Sequence, residues 1–306
     1  MSNVILESVL VIFVFLAVAL VAGNNLSACV GPAVGARILT KRAGALLGAS
    51  GFAAGLLVQG AGMANSINAF MPMTSIEFQI KILTAGIVIF IIAHLARLPL
   101  SFSMSLVGLL AGYTIASNTT TQMPFMTKTI TMWIIAPLLA MIMAYYLIRY
   151  INNRPVKDIW RRIRFYKALL LVLAFSTAYV SGANTLGLIV ATAGFSGVTV
   201  AAAVGAIFVG SLFLGQGTIR RVSEEFYRMR YSNATVALAT SSILVEIAAL
   251  LNIPLSNTQT TTAAVFGAGI SYKTKYLSLK PYTIIVLGWI VAPVLSFAIG
   301  YLLFYL

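Results

Sequence analysis

Two polar clusters interrupt an otherwise apolar sequence, and each occurs twice. The first is Gly23-Asn24-Asn25 with Ser27, answered by Ser181-Gly182-Ala183-Asn184-Thr185. The second is Pro99-Leu100-Ser101-Phe102-Ser103-Met104-Ser105, answered by Pro254-Leu255-Ser256-Asn257-Thr258-Gln259-Thr260-Thr261-Thr262. Proline followed by hydroxyl side chains is a helix-start pattern. A helix that begins inside a membrane points unpaired N–H groups and a positive dipole end at whatever lies ahead of it. Glycine beside asparagine favours an unwound helix that frees backbone amides and carbonyls. Neither cluster contains Lys or Arg, so amides, hydroxyls and helix N-termini would hold a desolvated oxyanion by hydrogen bonds alone. Two blander readings stand beside this one: polar contacts between helices through small residues, and Ser and Thr acting only as caps.

These clusters need a scaffold, and composition names it. The chain has 306 residues, 60% hydrophobic and 8% charged, with a net charge of +14. Soluble domains carry about 25% charged residues, so lipid is the solvent that fits. The basic residues sit in short segments between apolar runs, where they report topology rather than a nucleic-acid surface. Cys29 stands alone and forms no internal disulfide. The first apolar run, from Val4, lacks the basic start and small-residue exit of a cleaved signal and reads as a span.

At about 20 apolar residues per span, segments are expected near 4–30, 43–62, 79–97, 102–117 and 130–150, then 167–190, 196–215, 234–251, 256–272 and 282–305. Residues 151–166 form a basic linker between two sets of five. An odd number in each set inverts the second half. Loop charge agrees: Arg37, Lys41 and Arg42 face the same side as Arg220, Arg221, Arg228 and Arg230, as the linker with Arg154, Lys157, Arg161, Arg162 and Arg164, and as Lys273, Lys275 and Lys280. That side is cytoplasmic, in a multi-pass protein of the cell membrane with both termini outside.

Internal matches point to a duplication. Trp133-Ile134-Ile135-Ala136-Pro137 recurs as Trp289-Ile290-Val291-Ala292-Pro293, and Leu98-Pro99-Leu100-Ser101 as Ile253-Pro254-Leu255-Ser256. Asn24 is answered by Asn184, and Gln59-Gly60 by Gln216-Gly217, so the offsets are 156, 155, 160 and 157. The expected fold is an all-α integral membrane protein of two inverted repeats, 1–150 and 167–306, with re-entrant or broken helices near the midplane.

The same residues resemble a known family. Asn24-Asn25-Leu26-Ser27-Ala28-Cys29-Val30-Gly31 with Val34-Gly35-Ala36-Arg37 is similar to the G-A-N-D-V-A-N-A-x-G-x-x-V-G-S-R signature of the PiT inorganic phosphate transporters. Ser181 to Thr185 resembles its second copy, Pro254 to Thr260 the family's P-V-S-T-T-H-T segment, and Pro99 to Ser105 its first-half partner. The resemblance covers essentially the whole chain. It implies a homodimeric symporter moving phosphate with Na⁺ or H⁺, without a cofactor. The family's aspartates are replaced by Asn25 and Thr185, its histidines by Met104 and Gln259, and an asparagine by Ala28. Some PiT-like sulfate permeases also lack these aspartates, so sulfate is the alternative substrate.

The expected anion-binding set is Asn24, Asn25, Ser101, Ser103, Asn184, Thr185, Ser256, Asn257 and Thr258. Cation coupling falls to Ser27, Thr260 and Glu246, with any Na⁺ near Asn25 and Thr185. Glu246, within Ser241–Ala248, is the one acidic residue deep in a span. It serves either as a proton carrier or as a neutral acid bonded to a neighbouring helix. One His and one Cys supply no nucleophile–base pair or metal cluster for an enzyme, and no G-x-x-x-x-G-K-[ST] loop marks a pump. A gated anion channel is the reading from another class.

Overall fold

The computed structural model describes residues 2–70, 75–95, 101–117, 123–154, 158–215, 230–271 and 279–306. Among them every regular element is a helix. Helix α1 runs Ser2–Gly35, α2 Lys41–Gln59, α3 Ala61–Phe70, α4 Ile76–Leu95, α5 Phe102–Ala116 and α6 Met123–Asn152. Helix α7, Ile159–Ser181, continues through a π-helical turn, Gly182–Leu186, into α8, Gly187–Thr192. Helix α9, Gly197–Val209, ends in a second π turn, Gly210–Leu214, and α10 Tyr231–Leu250, α11 Asn257–Ile270 and α12 Leu279–Leu303 complete the order. Starts are set by short polar side chains that accept a backbone N–H two or three residues on: Thr40 for α2, Asp158 for α7 and Ser196 for α9.

Seven of these helices are long and apolar enough to cross a bilayer, and α2 with α3, bent by 55° at Gly60, makes an eighth. The two remaining members of the expected ten are short. Helix α5 has 15 residues and α11 has 14, roughly 22 Å at most against a hydrocarbon core of about 30 Å. In the second half the missing length precedes the helix, where Ile253–Ser256 is non-helical. The second of these segments is therefore broken at Ile253–Ser256, and the two short helices start at their capping residues, Ser101 and Ser256. Pro99 and Leu100 themselves lie outside the described residues, as do Gln216, Gly217, Arg220, Arg221, Arg228, Lys157, Lys273 and Lys275.

One local expectation is corrected. Helix α1 does not unwind at Gly23-Asn24-Asn25; it is continuous from Ser2 to Gly35. Gly23 is there for close packing instead: a Cβ on it would meet Leu214 and the Gly210 carbonyl at 2.8 and 2.9 Å. In the second half the backbone does depart from α geometry, as the π turn that holds Asn184 and Thr185.

The halves interlock. Helix α1 packs on α9 and its π turn while α7 packs on α2; α5 packs on α12 while α11 packs on α6. Each pair joins one half to the other, and each has its counterpart at the same place in the opposite half. Glycines set the approach. A Cβ at Gly55 would overlap the Tyr179 carbonyl, one at Gly210 the Ala19 carbonyl, one at Gly112 the Phe297 carbonyl and one at Gly267 the Met141 carbonyl. Lipid gives helices no hydrophobic reason to associate, so backbone-to-backbone fit of this kind carries the packing.

Candidate functional site

The two Pro–x–Ser elements do what their residue types suggest. Ser101 caps α5, its Oγ accepting from the Met104 N–H at 3.5 Å, and Ser256 caps α11, accepting from the Gln259 N–H at 3.4 Å. Ser103 lies 3.1 Å from Ser101 Oγ, and Thr258 lies 2.8 Å from Ser256 Oγ. Each start thus presents a pair of hydroxyls beside the free N–H groups of a helix end, an arrangement suited to an anion.

Helices α1 and α7 pack on each other. Asn25 Nδ2 donates to Ser181 Oγ at 3.5 Å, and the Cys29 thiol reaches the Thr177 carbonyl at 3.6 Å. Helix α11 sits against α1, where Asn257 Nδ2 donates to Cys29 Sγ at 3.1 Å, and α5 contacts α8. Ser241 of α10 donates to Asn257 Oδ1 at 2.9 Å and lies 2.7 Å from Thr260 Oγ1, while Thr261 donates to it at 2.8 Å. Asn257 and Thr260 are therefore tied into a buried polar chain, Cys29–Asn257–Ser241–Thr260, that orients the first turn of α11.

Asn184 holds the loop before that turn. Fully buried, it donates from Nδ2 to the Ile253 carbonyl at 2.8 Å and accepts the Leu255 N–H at 2.9 Å on Oδ1. Pro254 has no N–H to anchor the stretch, so the amide takes the place of a strand partner. Trp133 adds a second clamp, its Nε1 donating to the Pro254 carbonyl at 2.9 Å, and its own carbonyl accepts from Gln259 Nε2 at 3.0 Å.

Other groups are left with capacity to spare. The half-buried Asn24 side chain makes no hydrogen bond to the described residues, and its backbone carbonyl accepts from Ser27 Oγ at 2.9 Å. The buried hydroxyls of Thr185 and Ser105 also lack partners among them. Asn24, Thr185 and Ser105 thus keep donors to spare, while Ser103 and Thr258 stand at the two helix starts themselves. For a cation, Asn25, Ser181 and Thr185 offer neutral oxygens; among the described residues no group of three His, Cys, Asp or Glu comes together.

Met104 and Gln259, at the same position in their equivalent helices, line a cavity of about 560 Å³ between α5, α6, α11 and α12. Its walls are almost entirely apolar, with Trp133, Trp289, Pro137 and Pro293 among them.

A family model described as the phosphate transporter family matches residues 21–192 and 152–300. The chain belongs to the phosphate transporter family. The two overlapping matches place both polar clusters of each half inside the family's pattern. A protein of Methanocaldococcus jannaschii assigned as a phosphate permease is 28% identical over 176 residues, 56% of this chain and 57% of that protein. The sulfate permease CysP of Bacillus subtilis is 27% identical over 297 residues, 92% of this chain and 83% of that protein. A solved structure titled the sodium-dependent phosphate transporter superposes with a TM-score of 0.83 at 15% identity, covering 97% of this chain and 98% of that one. That likeness establishes the phosphate transporter fold for a multi-pass, all-helical membrane protein.

Ser181, Cys29, Ser241 and Trp133 were not among the site residues expected from sequence. Trp133 carried a signal, since its Trp–Ile–x–Ala–Pro motif recurs. Ser241 and Cys29 carried none, because their partners are 16 and 228 residues away and only the fold brings them together.

Proposed function

We propose that this protein is a secondary active transporter of inorganic phosphate, coupled to a cation, H⁺ or Na⁺, and working by alternating access. The observation that carries the proposal is the pair of equivalently capped helix starts, at Ser101 and Ser256, together with the unused donors of Asn24 on α1 and Thr185 in the π turn after α7. Hydroxyls and helix N-termini bind an oxyanion strongly enough to strip water from it, yet without a fixed counter-charge that would trap it. Asn24, Thr185, Ser101, Ser103, Ser256 and Thr258 are its contacts in this reading; Asn25, Asn184, Asn257 and Thr260 position them. The interlocked halves supply two bodies able to open the site to either side.

Sulfate is the second substrate reading. It is favoured by the wide match to a sulfate permease and by neutral residues at Asn25 and Thr185, which put no fixed negative charge beside a bound dianion. The proposal places the protein in the cell membrane with both termini outside and the basic segments cytoplasmic, and takes a homodimer as its assembly. Uptake of labelled phosphate into proteoliposomes tests it. Saturable accumulation against a gradient supports a carrier, and large single-channel currents would sink it in favour of an anion channel.

A further inference from the structure

We infer that Glu246 is the proton-binding group of the transport cycle and that the α2–α3 elbow sets when it binds and releases. The inference rests on the carrier reading above and selects the proton as the coupled cation.

Glu246 lies in the last two turns of α10, within a span. One carboxyl oxygen accepts from Gln59 Nε2 at 3.3 Å; the other is buried with no partner among the described residues. A carboxyl within a span is expensive to leave charged and short of donors. Oε2, buried and unpartnered, is the position open to a proton, while Oε1 keeps its bond from Gln59.

Among the described residues no cation is bonded to Glu246 in place of that proton. Tyr179 of α7 is the titratable side chain in the field of Glu246. Helices α3 and α11 and the π turn Gly182–Leu186 contain no titratable residue. On α1, Cys29 is bonded to Asn257 and Thr177, and Glu7 is near the opposite terminus. The cations of α6, Lys128 and Arg149, and those of α7, Arg161, Arg162, Arg164 and Lys167, belong to the end regions of their helices; Lys41 and Arg42 start α2, at the far end from Gln59.

Gln59 is the last residue before the 55° bend at Gly60. The partner that holds Glu246 is therefore part of a hinge. The same elbow grips the chain leading to the anion site. Ser66 Oγ of α3 donates to the Asn252 carbonyl at 2.7 Å, and with its amide assigned from the neighbouring acceptors the Asn252 side-chain nitrogen donates to the Gly62 carbonyl at 3.2 Å. Asn252, with a left-handed φ of 55°, turns the chain into Ile253–Ser256, which Asn184 clasps. A movement of the elbow that withdraws Gln59 from Glu246 also pulls on the start of α11. Proton binding and anion binding thus bias one shared element, which is what coupling requires. The step balances simply: H⁺ from one side adds to the carboxylate to give the acid, and on the other side the O–H bond breaks and H⁺ departs. The transferred proton supplies the positive charge that the anion site lacks.

The test uses the full-length protein in liposomes with labelled phosphate, Na⁺ absent, and a one-unit pH gradient acid outside, worth a factor of about ten in concentration for one proton per anion. The wild type is expected to accumulate phosphate toward that limit. Glu246→Gln, a mimic of the permanently protonated state, is expected to lose gradient-driven accumulation while still exchanging phosphate for phosphate, and Glu246→Asp to recover part of it. Accumulation that survives in Glu246→Gln overturns the inference, as does wild-type uptake driven by a Na⁺ gradient and indifferent to pH. Loss of exchange along with accumulation assigns Glu246 a structural role and overturns it too. A wild type that exchanges neither phosphate nor sulfate defeats the carrier reading itself, a result distinct from the others.

Discussion

Asn184 and Ser256 show how much a single side chain does when backbone groups are buried in a membrane. Asn184→Ala leaves the Ile253 carbonyl and the Leu255 N–H without partners, at a cost of about 1–3 kcal/mol for each unsatisfied group. The expected outcome is a lower melting temperature in detergent and a large loss of anion uptake; Asn184→Asp, which keeps the acceptor for Leu255 but not the donor to Ile253, falls between. Ser256→Ala removes an N-cap worth roughly 0.5–2 kcal/mol and a hydroxyl at the proposed site. Thr40→Ala removes the cap of α2 at an exposed position. Melting should drop by similar amounts in the two, and uptake should fall only in Ser256→Ala. Asn184 and Ser256 were legible in the sequence because each recurs, at Asn24 and Ser101. Their exact duties were not: Asn184 was read as a ligand contact, and the fold makes it a clasp because Pro254 leaves that stretch short of donors.

At the level of helices, glycine is the residue most easily misread. Gly23 beside Asn24 suggested a break, yet α1 runs straight through it, and the glycine exists so that the π turn after α9 can lie against it. Sequence alone does not separate a glycine that bends a helix from one that admits a neighbour, since both lack a Cβ for different reasons. Gly55→Ala and Gly210→Ala would each drive a methyl into the backbone carbonyl of the facing helix. Overpacking of this sort costs about 1–3 kcal/mol or more, so both variants should melt at lower temperature. Gly197→Ala, with open space around its Cβ, should not. The two short helices were better anticipated: Pro–x–Ser followed by hydroxyls marked their starts, and their position as the fourth member of each half followed from the repeat. The π turns carried no signal that the sequence could show.

Across the whole molecule, the pairing of α5 with α12 and α11 with α6 means that neither half completes its own packing. Residues 1–154 and 158–306 produced separately should be degraded; produced together from one cell they should assemble and restore uptake, measured against the unbroken chain. The duplication itself was legible from four matches with nearly constant offset, because a repeat leaves its mark in sequence whatever its orientation. The exchange of helices between halves was not, since it depends on contacts more than a hundred residues apart. The central claim, an oxyanion carrier built on two equivalently capped helix starts, is tested most directly by reconstituted uptake of labelled phosphate and labelled sulfate under imposed pH and Na⁺ gradients, with Ser256→Ala measured alongside. The account predicts gradient-driven, saturable accumulation of at least one of the two anions, sharply reduced in Ser256→Ala. Absence of gradient-driven uptake of both anions by well-folded protein, or wild-type rates in Ser256→Ala, would contradict it.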